Sequence, residues 1–167
     1  LSIVLGLRSR STPFPKIVLV LRRFRPHGRP ILLIRFDRHG PHLPVGTDYF
    51  TVEHLAVEAA RQIASDTPVL VAPALPFGCS EHHLPFGGTF SFTTETYYRL
   101  LCDLLRSLVR DGFRKVFLLN GHGGNHELIQ LAARDIALEH PVEIGAASYW
   151  NLAWDDLIRV DAHKKAR

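Results

Sequence analysis

Beyond residue 30, short unbroken apolar runs alternate with longer stretches whose apolar positions recur at helical spacing. The run 31–36 starts on β-branched Ile31 and reads as a strand, followed by a loop rich in Gly and Pro over 39–47. In 49–65 the apolar residues fall at 52, 55, 56, 59, 60 and 63, the spacing of a helix with one inward face. PVLVAPAL at 68–75 reads as a buried strand, and 76–88 as a loop dense in Gly, Pro and His. A second amphipathic helix spans 94–110, with Tyr97, Leu101, Leu104, Leu105 and Leu108 on one side. Asp111-Gly112 ends it, because Gly accepts the left-handed cap. RKVFLL at 114–119 gives a third strand, 127–139 a third helix and 142–149 a fourth strand. Strands alternating with helices of these lengths imply βαβ crossovers and a mainly parallel sheet covered on both faces. The expected fold class is therefore α/β, a three-layer α/β/α sandwich.

In such a sheet, ligands bind beyond the carboxyl ends of the strands. The loops leaving Phe36, Leu75 and Leu119 should meet at one edge, and near them lie His39, His42, His82, His83, His122 and His126, six of the ten histidines. Composition narrows the picture further. The 167 residues are 46% hydrophobic and 22% charged, ordinary usage for about one globular domain, which excludes global disorder. No apolar run approaches the ~18 residues that a membrane-spanning helix needs, so no membrane partner is expected. Cys79 and Cys102 cannot build a disulfide framework or a four-cysteine zinc knuckle. They read as small apolar fillers in a reduced, cytoplasmic protein.

Charge is unevenly placed: residues 1–36 carry eight Lys or Arg and no acid, while the overall net charge is only +4. The remainder is therefore acidic on balance. The chain has no Met and begins at Leu1, which suggests a fragment or processed piece. The expected organisation is a basic, poorly constrained leader over 1–30 and a domain over 31–167, truncated at its C-terminus. A targeting segment or nucleic-acid arm is the rival reading of the leader, and a nucleic-acid partner has no other support.

Three constellations could carry chemistry. Asp37 and His39 alternate onto the same side of an extended chain, and the Pro- and Gly-containing turn that follows can bring Asp48 beside them. Carboxylate and imidazole without thiolate suit Zn, Mn or Fe(II) in a catalytic site. The spacing alone leaves open a polar loop in which His39 and Asp48 bond to backbone. The second constellation is Asn120-Gly121-His122-Gly123-Gly124-Asn125, directly after a strand. Its rival reading is a phosphate cradle opening a helix, but neither nucleotide fingerprint fits: His126 stands where a Gly or Ala would be needed, and no P-loop Lys follows. The third runs from Phe77 through Ser80, Glu81, His82 and His83 to Thr89. Ser80 is not in a nucleophile elbow, and because His82 and His83 are adjacent, only one of them is expected to face the crevice. His126-Glu127 does not continue into a zincin motif. Trp150 and Trp154 read as packing residues more readily than as a lid over a pocket.

Together, His39-Gly40-Pro41-His42-Leu43-Pro44-Val45-Gly46-Thr47-Asp48, the loop 77–89 and the loop 120–125 resemble the creatininase (creatinine amidohydrolase-like) family, over roughly residues 34–154. The resemblance implies an α/β/α fold, commonly a homo-hexamer, with two divalent metal ions per subunit, Zn or Mn and in some members Fe. It implies hydrolysis of a non-peptide or cyclic C–N amide bond in a small-molecule substrate. Family activities include creatinine ring opening, deformylation of a pyrimidine precursor and trimming of the mycofactocin precursor peptide. Carried over by position, the metal ligands would be Asp37, His39, Asp48 and His122, with Ser80, His83 and Gly123 near the substrate and His163 as the catalytic His. Two departures stand out. Asp37 is one methylene shorter than the family's Glu, and Gly124 occupies a position where creatininase itself supplies an acidic ligand. Competing classes are an α/β phosphate- or nucleotide-binding module using residues 121–125, and a catalytically impaired, truncated family member.

Overall fold

The computed structural model describes residues 29–34 (as backbone), 43, 46–67 and 69–153. Four strands, β1 (Arg29–Ile34), β2 (Val69–Val71), β3 (Lys115–Asn120) and β4 (Glu143–Ser148), form one sheet in the order β2-β1-β3-β4 with every pairing parallel. Helices α1 (Thr47–Ile63), α2 (Thr94–Arg110) and α3 (His126–Glu139) connect them, and a short α4 (Tyr149–Leu152) follows β4.

Strand β3 shows how the layers are built. Alternate side chains of a strand face opposite ways. Val116 and Leu118 join one apolar cluster with α2 and α3, centred on Tyr97, Leu101, Leu105, Ile129 and Ile136. Leu119 joins a second cluster with Val52 and Ala56 of α1, with Phe117 packed against it. The helices thus lie on both faces of the sheet, and the three-layer α/β/α architecture expected from the sequence is present.

Helix α2 spans the interval that the periodicity marks, because both its ends are chemically defined. The Thr93 hydroxyl accepts the Thr96 N–H at 3.3 Å. At the far end, Gly112 has φ 93° and donates its N–H to the Val109 carbonyl, while the Phe113 N–H reaches Leu108. That reciprocal pair closes the helix and turns Phe113 into the core. Strand β2 is shorter than its apolar run suggests, stopping at Val71. Pro73 and Pro76 have no N–H to give to a ladder, so the chain leaves the sheet. Strand β1 begins at Arg29, two residues before the apolar run.

The strand order has a functional consequence. The chain goes from β1 outward to β2, then returns across β1 to β3 and on to β4. The direction of winding reverses between β1 and β3, and their loops part to opposite faces there, opening the crevice where open α/β sheets bind ligands. The last β1–β3 pair is Ile34 with Asn120, two residues before His122.

Among the described residues, the packing of α2 on α3 carries two polar ties: Arg106 donates through Nε and Nη2 to Glu139 at 3.1 and 3.0 Å, and the Tyr98 hydroxyl donates to Asp135 Oδ2 at 2.6 Å. That bond and the neighbouring Arg134 hold the Asp135 carboxyl below its usual range, and the same bond raises the Tyr98 phenol. A depressed carboxyl stabilises the fold above its unfolded pKa and loses that contribution as pH falls through the folded value. Tyr98→Phe is accordingly expected to be less stable than the parent at pH 7. The gap should shrink below about pH 4, as denaturant melts at the two pH values would show.

Candidate metal centre

Three loops reach the crevice. The first delivers Asp48, which lies in the opening turn of α1 and is buried. The second, 72–93, is a folded unit. A parallel bridge joins Gly78 to Ser91, the Phe92 N–H donates to the Gly78 carbonyl at 2.9 Å, and Phe77 packs edge-on against Phe90 and Phe92. Inside it a 3₁₀ turn, Glu81–Phe86, carries His82 and His83. The third loop, 121–125, carries His122.

His122 is the hub. Its Nδ1 lies 3.2 Å from Asp48 Oδ2 and its Nε2 lies 3.0 Å from the Cys79 carbonyl oxygen. A neutral imidazole donates through one nitrogen only, so one of these contacts can give way to a cation. The His122 backbone is fixed from below. Asn120 Oδ1 accepts the His122 N–H at 3.1 Å, and Asn120 Nδ2 donates to the His122 carbonyl at 2.7 Å and to Ser148 Oγ at 2.8 Å. Ser148 also meets His126 Nδ1 at 2.8 Å. Asn120 and Ser148 are fully buried, and their polar atoms answer one another as burial requires. Asn125 ties the second loop to the third, its Oδ1 accepting the Cys79 N–H at 2.9 Å.

One nitrogen from each of His82, His83 and His122 falls within a group spanning at most 4.8 Å. The expectation that only one of the adjacent pair faces the crevice is wrong. It assumed an extended chain, whereas a 3₁₀ turn advances about 120° per residue and lets neighbours share a side. The His82 ring stacks parallel to His122 at 5.0 Å and 5°, and His83 approaches the same ring at 5.6 Å. Tyr149, which opens α4, borders the site from the α1 side. Burial and then the charge of Asp48 push its phenol up.

The other expected residues divide plainly. Ser80 is fully buried and gives its carbonyl to the His83 N–H, while Gly123 is exposed. Cys79 and Cys102 are buried fillers, and burial raises the Cys102 thiol. Trp150 stacks edge-on against Tyr149 at 5.1 Å. Asp37, His39, His42, Trp154 and His163 lie outside the described residues. The sequence reading missed the support given by Asn120, Asn125 and Ser148. A polar residue at the very end of each of two strands is the available signal for Asn120 and Ser148.

The creatininase profile, described as creatinine amidohydrolase, matches residues 36–166. The chain belongs to the creatininase family. Within it, the mycofactocin precursor peptide peptidase of Mycobacterium tuberculosis (strain ATCC 25618 / H37Rv) is 42% identical over 95 residues, covering 53% of this chain and 38% of the relative. The creatinine amidohydrolase of Pseudomonas putida is 27% identical over 135 residues, covering 73% and 50%. A crystal structure of creatinine amidohydrolase (creatininase) superposes with a TM-score of 0.65 at 27% identity, over 75% of this chain and 51% of that one. A manganese form of creatininase and a zinc–zinc form of a creatininase mutant superpose to a similar extent, with TM-scores of 0.65 and 0.64 at 26% identity over 75% of this chain and 52% of each. This chain spans half or less of the length of the two curated relatives.

The donors that this creatininase-family chain brings together among the described residues fit a borderline divalent cation: three converging imidazoles, with a buried carboxylate against one of them and no thiolate in the group. The glycines serve this convergence unequally. A Cβ at Gly124 would lie 2.3 Å from the Cys79 carbonyl oxygen, whereas one at Gly123 would meet nothing within 4 Å. Gly124→Ala is expected to destabilise by about 1–3 kcal/mol, as overpacking does. Gly123→Ala should stay within about 0.5 kcal/mol. Parallel thermal melts of the two variants check this contrast.

Proposed function

We propose that this chain is part of a metal-dependent hydrolase that cleaves a C–N amide bond with an activated water. Family membership supports hydrolysis, and the observation that carries metal dependence is the meeting of Asp48, His82, His83 and His122 at the winding reversal of the sheet. The solved creatininase structures include manganese and zinc forms, which makes those the proposed ions, with Fe(II) compatible with the same donors. The residues proposed to hold a two-ion centre are Asp37, His39, Asp48 and His122. The substrate class is an amide, cyclic or peptide, since the relatives include both a creatinine amidohydrolase and a precursor-peptide peptidase.

When bound, the ions supply Lewis-acid polarisation of the amide carbonyl and a lowered pKa for water. The chain's own residues do the rest. Asp48 accepts from His122 Nδ1 and so sets the ring's orientation. The Asn120–Ser148 pair prevents the His122 backbone from moving away. His163 is the residue that the resemblance makes the proton donor to the departing nitrogen, a role worth about 10²–10⁴-fold. His83, half-buried beside His122, would be the substitute donor only while it holds no ion. A phosphate cradle in the 121–125 loop is less well supported, because Gly124 is used up by its close approach to Cys79.

His122→Ala is expected to lose at least one metal equivalent by elemental analysis, along with amidase activity. The parent's melting temperature should fall on chelation and recover on adding Zn or Mn. Full metal occupancy in His122→Ala would overturn the proposal, and so would stability indifferent to chelator.

A further inference from the structure

We propose that His82, His83 and His122 form a metal-binding set of their own, an all-imidazole site for one borderline divalent ion such as Zn(II). It would sit on the side of the His122 ring that faces the 72–93 loop. The proposal deepens the metal-dependent reading above and rests on it for the presence of a cation.

Gly124 carries the argument. A Cβ built there falls 2.8 Å from His122 Nε2 and 3.1 Å from His82 Cε1, so any side chain at this position would occupy the space between the two rings. Its absence lets His82 stack on His122. The room that a ligand from the 121–125 loop would take is filled by a ligand from the neighbouring loop.

The geometry is close to what an ion needs. Imidazole nitrogens bound tetrahedrally at about 2.0–2.1 Å stand about 3.4 Å apart, and here the three lie within 4.8 Å of one another. Closing that gap requires the His82 ring to turn out of its parallel stack on His122, because the in-plane lone pairs of stacked rings do not meet at one ion, and the freedom to turn is unequally shared. His82 is exposed and His83 half-buried, whereas His122 is buried and held through Asp48 and Asn120. Asp48 occupies Nδ1, and Nε2 faces the Cys79 carbonyl oxygen at 3.0 Å, so the ion would take Nε2 in place of that contact, in a carboxylate–histidine–metal relay.

Donor chemistry separates this set from the carboxylate-containing one. Three neutral imidazoles favour Zn(II) or Co(II) and give Mn(II) and Mg(II) little, because those harder ions prefer oxygen. The two sets compete for His122 Nε2, which ligates one ion at a time, and otherwise use different residues, so they can be told apart.

The experiment titrates Zn(II) and Mn(II) into the full chain by calorimetry and records the visible absorption of Co(II) as a spectroscopic probe. It uses the parent, the double variant Asp37→Asn/His39→Ala, that double variant with His82→Ala added, and His140→Ala as a remote control. The double variant is expected to retain one Zn(II) equivalent and to lose Mn(II). Adding His82→Ala should then weaken Zn(II) by more than the about 10–100-fold that loss of an outer hydrogen-bond partner costs, and should alter the Co(II) band. His140→Ala should match the parent. Zn(II) affinity and a Co(II) spectrum unchanged by His82→Ala would overturn this site while leaving the proposed function intact. Loss of all Zn(II) in the double variant would do the same, since the ion would then belong to Asp37 and His39. A parent that binds none of these metals would overturn both.

Discussion

The site depends on one buried imidazole being reached from three directions. His122 meets the Asp48 carboxylate from the start of α1 and the Cys79 carbonyl from the loop after β2, and its own backbone is gripped by Asn120 at the end of β3. Each contact is worth little alone, since a hydrogen bond contributes about 0.5–1.5 kcal/mol net. Their joint effect is positional. Three loops distant in sequence are held in one register by a ring that cannot turn without leaving a buried polar atom unanswered.

That grip works because of where the sheet reverses its winding. β2 and β3 flank β1, so the connections on either side leave toward opposite faces and a gap opens above the β1–β3 pair. From Val116 to Leu119 β3 is apolar on both faces, and it then turns polar at Asn120. The sheet therefore ends in a hydrogen-bonding group just where the gap begins. Ser148 closes β4 the same way, and the two meet. This chain builds that frame within the part of the relatives' length that it shares.

Burial patterns made the architecture legible beforehand. α2 could be placed without error because its apolar positions 97, 101 and 105 repeat strongly and its ends carry Thr93 and Gly112, residues whose capping chemistry is local. β2 was overextended because Pro73 and Pro76 act through ladder hydrogen bonds, which a count of apolar residues does not register. The concentration of histidines in loops likewise points to the edge of the sheet where Asp48 and His122 meet.

What the sequence determined by itself was local: which segments are helix or strand, where they stop, and which loops are rich in ligating groups. These follow from interactions between residues a few positions apart. The meeting of both His82 and His83 with His122 was decided by tertiary structure, as was the use of Gly124 as the gap that admits them. A 3₁₀ turn held by a Gly78–Ser91 bridge, and a clearance set by the Cys79 carbonyl, depend on contacts made across more than ten residues of chain. No pattern of neighbouring letters encodes a distance of that kind.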